Sequence, residues 1–196
     1  MKMEKRSYDM RTRSAKAEAT RDRIRQNAMQ LYRERPLDEF TLDEVAARAE
    51  TTVQTVLRAF SSKDNLIVVA LAALAPGGSP IKLSDPGDVA AAVMVIFDLY
   101  ENIGDRVIQQ LADERRLPGL KTNLDVGRRI HREWVKAVFA PQLGTYTGHG
   151  RSHVFHGLMA ATDVYVWKLL RRDQGLHRAT AEAVVRRIIT GLTKQE

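Results

Sequence analysis

The 196-residue chain has no cysteine, which removes both a structural disulfide and a thiolate metal site. Long apolar runs are also missing: residues 1–25 are mostly charged, unlike a signal peptide, and no later stretch approaches the ~20 apolar residues of a membrane span. A cytoplasmic protein with no membrane partner is therefore expected. Signatures of chemistry are equally scarce. There is no Gly-rich phosphate loop, no G-x-S-x-G elbow and no H-E-x-x-H. No enzyme activity, no catalytic residue and no cofactor are expected.

Alternating apolar and polar runs with hairpin turns between them are absent, and helical periodicity dominates, so the fold class is all-α with about nine helices. Proline is rare, and half of it sits in one place. Three of the six prolines and three glycines fall in "PGGSPIKLSDPGD", a composition that ends a helix and marks a linker at residues 76–87.

Charge is distributed unevenly. The chain carries a formal +7, and residues 1–25 hold nine Lys or Arg against four acids. A basic, flexible arm at residues 1–19 attached to a nearly balanced body points to a polyanionic partner.

Beyond the arm, Ile24, Ala28, Leu31 and Tyr32 make one apolar stripe that stops near Pro36. Thr41 and Glu44 are spaced as a capping box that starts a second helix through Val45, Ala46 and Ala49. Thr52 is placed to cap a third over Val53–Phe60, and Ser62 a fourth through Leu66 and Val69. The second and third of these make a helix-turn-helix, within a head at residues 20–75 that includes the fourth as a connector. With Val56 and Phe60 turned inward, Val53, Gln54, Thr55, Leu57 and Arg58 are left to read bases: Arg suits guanine, Gln suits adenine and Val suits the thymine methyl. Thr41, Thr52 and Lys63 stand at three helix starts, where hydroxyls, backbone N–H groups and a cation can meet phosphates.

The stretch from "TRDRI" at 20–24 to "SSKDNL" at 61–66, with Ala28, Thr41, Val45, Ala46, Ala49, Thr55, Phe60, Lys63 and Leu66 in order, resembles the TetR family of bacterial transcription repressors. The resemblance covers about a third of the chain. It implies double-stranded operator DNA as a partner, with Arg21 among the contacts, a homodimer built by the last two helices, and a small-molecule effector bound in the body. Three positions depart from the family's pattern: Glu50 where the turn usually has Gly, Leu57 where a phosphate-contacting Tyr is common, and Ala59 where His is frequent. These departures motivate the alternative of a helical scaffold or interaction module with a degenerate head.

For the body at residues 88–196, periodicity predicts helices at about 88–103, 105–117, 120–140, 152–173 and 179–192. The resemblance places an effector pocket there, with Met94, Phe97, Tyr100, Trp134, Phe155 and Met159 as lining and Asp163 and Arg132 as polar anchors. His149, His153 and His156 have spacings of four and three that can face one metal, with Asp163 further along the same predicted helix. Solvated histidines near a helix start are the simpler reading, and no metal ligand is assigned.

Overall fold

The computed structural model describes residues 3–74 and 81–194, all of whose regular elements are helical. The first part of the expected linker, residues 76–80, lies outside the described residues, as do the side chains of residues 1–11. The chain divides into two compact units, Met1–Pro76 and Gly77–Glu196.

In the first unit, α1 (Met3–Glu34) packs against α2 (Leu42–Arg48), α3 (Val53–Phe60) and α4 (Lys63–Leu74). A 3-10 turn at Leu37–Glu39 follows Pro36 and brings Leu37 and Phe40 into the core. Ile24, Ala28, Leu31 and Tyr32 are fully buried, so the stripe read from the sequence is the face α1 turns to its neighbours. The expected flexible arm is helical from Met3, which corrects that expectation. Residues 1–35 contain neither Gly nor Pro and include Ala15, Ala17 and Ala19, so nothing local stops the helix before Pro36. Residues 12–19 of this extension are all exposed.

The second unit holds α5 (Val89–Asp113), α6 (Leu120–Val138), α7 (Ala140–Gly144), α8 (Gly148–Ala161), α9 (Val164–Lys168) with a π turn at Leu169–Asp173, and α10 (Arg178–Thr193). Its core includes Phe97, Phe139, Leu158, Trp167, Val185 and Ile189. Two predictions are corrected. The helices expected at 88–103 and 105–117 are one, because Gly104 is a packing notch rather than a break: a Cβ there would lie 2.5 Å from Trp167 Cζ3. The helix expected at 152–173 begins at Gly148 and breaks at Thr162 and Asp163. There the Thr162 hydroxyl donates back to the Leu158 carbonyl at 2.8 Å, and Asp163 caps α9 by accepting from the Tyr165 amide.

Residues 81–87, expected as linker, pack on this unit. The Trp134 indole donates to the Lys82 carbonyl at 3.2 Å, the Gly87 amide donates to Val138 at 2.8 Å, and Gln142 donates to the Gly87 carbonyl at 2.9 Å. Gly87 has φ 92°, in the region that favours glycine.

Candidate nucleic-acid interface

The helix-turn-helix is built by short-range capping. At the start of α2, the Thr41 hydroxyl accepts from the Glu44 amide at 3.2 Å while Glu44 accepts from the Thr41 amide at 2.8 Å, closing the capping box. Arg35 pairs with the same carboxylate at 2.5 Å, and these partners hold Glu44 below its ordinary pKa. At the start of α3, Thr52 accepts from the Thr55 amide at 3.2 Å. Both hydroxyls satisfy amides that a helix start leaves unpaired, and both threonines remain exposed at positions where a phosphate can approach.

Between the helices the chain turns without glycine. The Glu50 amide donates to Ala47 at 3.1 Å and the Thr51 amide to Ala46 at 2.9 Å, the paired bonds of a Schellman turn. Glu50 takes φ 48°, the left-handed conformation that this turn assigns to its C′ residue. The turn thus carries a side chain at a position that favours glycine, at a cost of roughly 1 kcal/mol.

On α3 the burial pattern divides cleanly. Val56 and Phe60 are buried, Val53 and Thr55 are half-buried, and Gln54, Leu57 and Arg58 are exposed. Leu57 is 41% exposed, a large apolar side chain without cover. Three of the five side chains expected to read bases, Gln54, Leu57 and Arg58, are exposed on this short helix, and the Thr55 hydroxyl makes a 2.9 Å contact to that of Thr52.

Two expected phosphate contacts are engaged elsewhere. The Lys63 ammonium donates to the carbonyls of Leu37 and Phe40, each at 2.7 Å, and lies 4.9 Å from the Phe40 ring. Turned inward, it fastens α4 to the segment before α2. Arg21 donates to the Ala59 carbonyl at 2.6 Å with its guanidinium 4.3 Å from the Phe60 ring. Arg23, which sequence reasoning did not single out, donates through Nε to the Ala49 carbonyl at 2.7 Å. Its only sequence signal was membership of a basic run.

Residues 24–70 match the model of the bacterial regulatory proteins of the tetR family. Residues 24–70, about a quarter of the chain, are thus similar to the DNA-binding head of that family. Neither a curated protein nor a solved structure matches the chain. The match supports a DNA-binding transcription regulator with a helix-turn-helix head. Among the described residues, no helix is long and apolar enough to cross a membrane.

In the body of the chain, the residues expected to line a pocket separate. Phe97, Tyr100 and Trp134 are buried in the core, whereas Phe155 and Met159 are half-buried against it. Met94 is 51% exposed and faces outward from α5, so it is removed from the lining. Asp163 is half-buried and acts as the α9 cap, and Arg132 is exposed with its guanidinium 5.3 Å from the Phe155 ring.

A polar knot at the α8–α9 break was not anticipated. His131 Nε2 lies 2.8 Å from the Thr162 hydroxyl, and the Tyr100 hydroxyl donates to the Thr162 carbonyl at 3.1 Å. Because Thr162 gives its one proton to Leu158, His131 must donate, which fixes the Nε2–H tautomer of the neutral ring. Burial pushes the Tyr100 hydroxyl's pKa up, reinforced by the charge of Asp163. Desolvation lowers that of His131, with Asp163 opposing it. His149, His153 and His156 are exposed along α8, and among the described residues no three His, Cys, Asp or Glu side chains converge as a metal site would require.

Proposed function

We propose that this regulator is a homodimeric repressor that places one α3 in each of two successive major grooves of a palindromic operator, about 34 to 36 Å apart. The observation that carries the reading is the division of α3: two side chains anchor it inward while Gln54, Leu57 and Arg58 stay exposed beside two threonine-capped helix starts. Arg58 reads guanine, Gln54 reads adenine, and Val53 and Leu57 pack on thymine methyls. Thr41, Thr52 and Thr55 set the helix on the backbone through hydroxyls and amides. Arg21 and Lys63 keep only such donor capacity as their internal bonds leave. The basic extension of α1 adds phosphate contacts beside the operator.

Dimerisation through the last helices is supported by apolar side chains with no cover in one copy: Tyr165 is 55%, Leu169 46% and Ile188 42% exposed. An open depression along α10 is lined by the small residues Thr180, Ala183, Thr190 and Gly191, which allow close helix packing, and by Val184, Arg187 and Lys194. The effector is an apolar molecule of moderate size, bound among Phe97, Tyr100, Trp134, Phe155 and Met159, with Asp163 and the Thr162–His131 pair supplying polarity. It releases DNA by binding better to the dimer whose heads are wrongly spaced, and its leverage is limited to that difference. The left-handed turn kept at Glu50 favours a working head over a degenerate scaffold.

The test is fluorescence anisotropy with fragments tiled upstream of the protein's own gene, followed by an unbiased genomic-fragment selection. Tight binding that depends on both half-sites supports the proposal. Weak binding indifferent to sequence in both formats would reject it.

A further inference from the structure

The C-terminal ends of both helix-turn-helix helices are finished by arginines from α1. Helix α2 ends in a turn whose two bonds use the carbonyls of Ala46 and Ala47, and the Ala49 carbonyl, immediately before left-handed Glu50, is taken by Arg23 Nε at 2.7 Å. Helix α3 ends before left-handed Ser61, φ 65°, and the Ala59 carbonyl is taken by Arg21 at 2.6 Å while its guanidinium covers the Phe60 ring. Neither position has the glycine that makes such an ending free of strain. A cation at each C-terminus also complements the negative end of the helix dipole.

We propose that Arg23, with Arg21 beside it, is a positioning residue of the DNA-reading head. Its N–H on the Ala49 carbonyl holds the glycine-free turn closed and so fixes the angle at which α3 leaves α2. Glu50 and Arg23 are thereby linked: the side chain that strains the turn is tolerated because α1 clamps the carbonyl before it. The proposal rests on the reading of α3 as the recognition helix. It places Arg23 behind the interface, acting through the turn, rather than on a phosphate.

Substitutions separate those roles. Arg23→Ala removes the clamp. Arg23→Gln keeps an N–H donor at the position of Nε but drops the charge. Arg23→Ala with Glu50→Gly removes clamp and strain together. In the DNA-free protein, amide hydrogen exchange at Glu50 and Thr51 is expected to speed up about tenfold in Arg23→Ala, a change on the scale of one hydrogen bond. It should return to within about threefold of wild type both in Arg23→Gln and in the double variant. With DNA that the wild type selects, affinity and the palindrome-to-scrambled ratio should fall about tenfold in Arg23→Ala and recover in the other two. Unchanged exchange in Arg23→Ala overturns the clamp, and if DNA binding drops while exchange does not, Arg23 is a phosphate contact instead. Failure of Glu50→Gly to restore exchange overturns the link to strain. A wild type that selects no DNA rejects the recognition reading, whereas exchange still judges the clamp.

Discussion

Gly104 and the ring of Trp167 are in direct contact: a Cβ at the glycine would lie 2.5 Å from Cζ3 and 2.7 Å from Cη2. The indole Nε1 donates to Glu101 at 3.1 Å, and Arg172 covers the ring at 4.4 Å, so the ring is held from several sides. Gly104→Ala is therefore expected to destabilise the protein by about 1 to 3 kcal/mol through overpacking, despite alanine's better helix propensity. Gly127, in α6, has nothing within 4 Å of a built Cβ. Gly127→Ala should stabilise by roughly 0.5 to 1 kcal/mol. Urea denaturation of both variants would show opposite signs, and a stabilising Gly104→Ala would refute the contact.

Arg58 is exposed on α3 and makes the stronger base contact in the proposed complex. Arg58→Ala should cost about 1 to 3 kcal/mol of operator affinity and relax selectivity at one base pair in each half-site. Thr52→Ser, which keeps the capping oxygen, should leave selectivity intact. Competition binding against operators substituted one base pair at a time reads both, and a uniform weakening across all sequences would make Arg58 a phosphate contact.

The first fourteen residues include Lys2, Lys5, Arg6, Arg11 and Arg13. Deleting residues 1–14 should reduce the slope of log affinity against log salt by about 0.9 for each phosphate that these cations neutralise. Selectivity between operator and scrambled DNA should change little, since phosphates carry no sequence information. An unaltered salt slope would show that this segment stays off the DNA.

Burial keeps His131 neutral below its ordinary pKa of 6.5. Below pH 6.5 the unfolded chain binds a proton at this ring that the folded one refuses, so stability falls as pH drops from about 7 and levels once the folded ring also titrates. His131→Gln should flatten the decline in that window, as followed by thermal melts at pH 5 to 8. A wild-type melting temperature that does not drop between pH 7 and 5.5 would contradict the buried, neutral assignment.

The head was legible in the sequence to the residue where the signal was local. The Thr41–Glu44 box, the Thr52 cap and the inward turn of Val56 and Phe60 follow from groups within one or two helical turns, and each stands where its spacing put it. Met94 was misread for a related reason. Helical period shows that residues share a stripe, but it does not say where the stripe's edge meets a neighbour.

Sequence alone determined the all-α class and the helix-turn-helix, because capping and periodicity act between residues a few positions apart. Tertiary structure decided what each ambiguous residue does. Gly104 continues a helix because Trp167 needs the space, and Lys63 and Arg21 turn to backbone carbonyls because helix ends packed nearby leave those acceptors unfilled. Thr162 ends α8 beside His131 and Tyr100, partners from two other helices. Such choices depend on which distant groups a side chain meets, and no local pattern of residues contains that information.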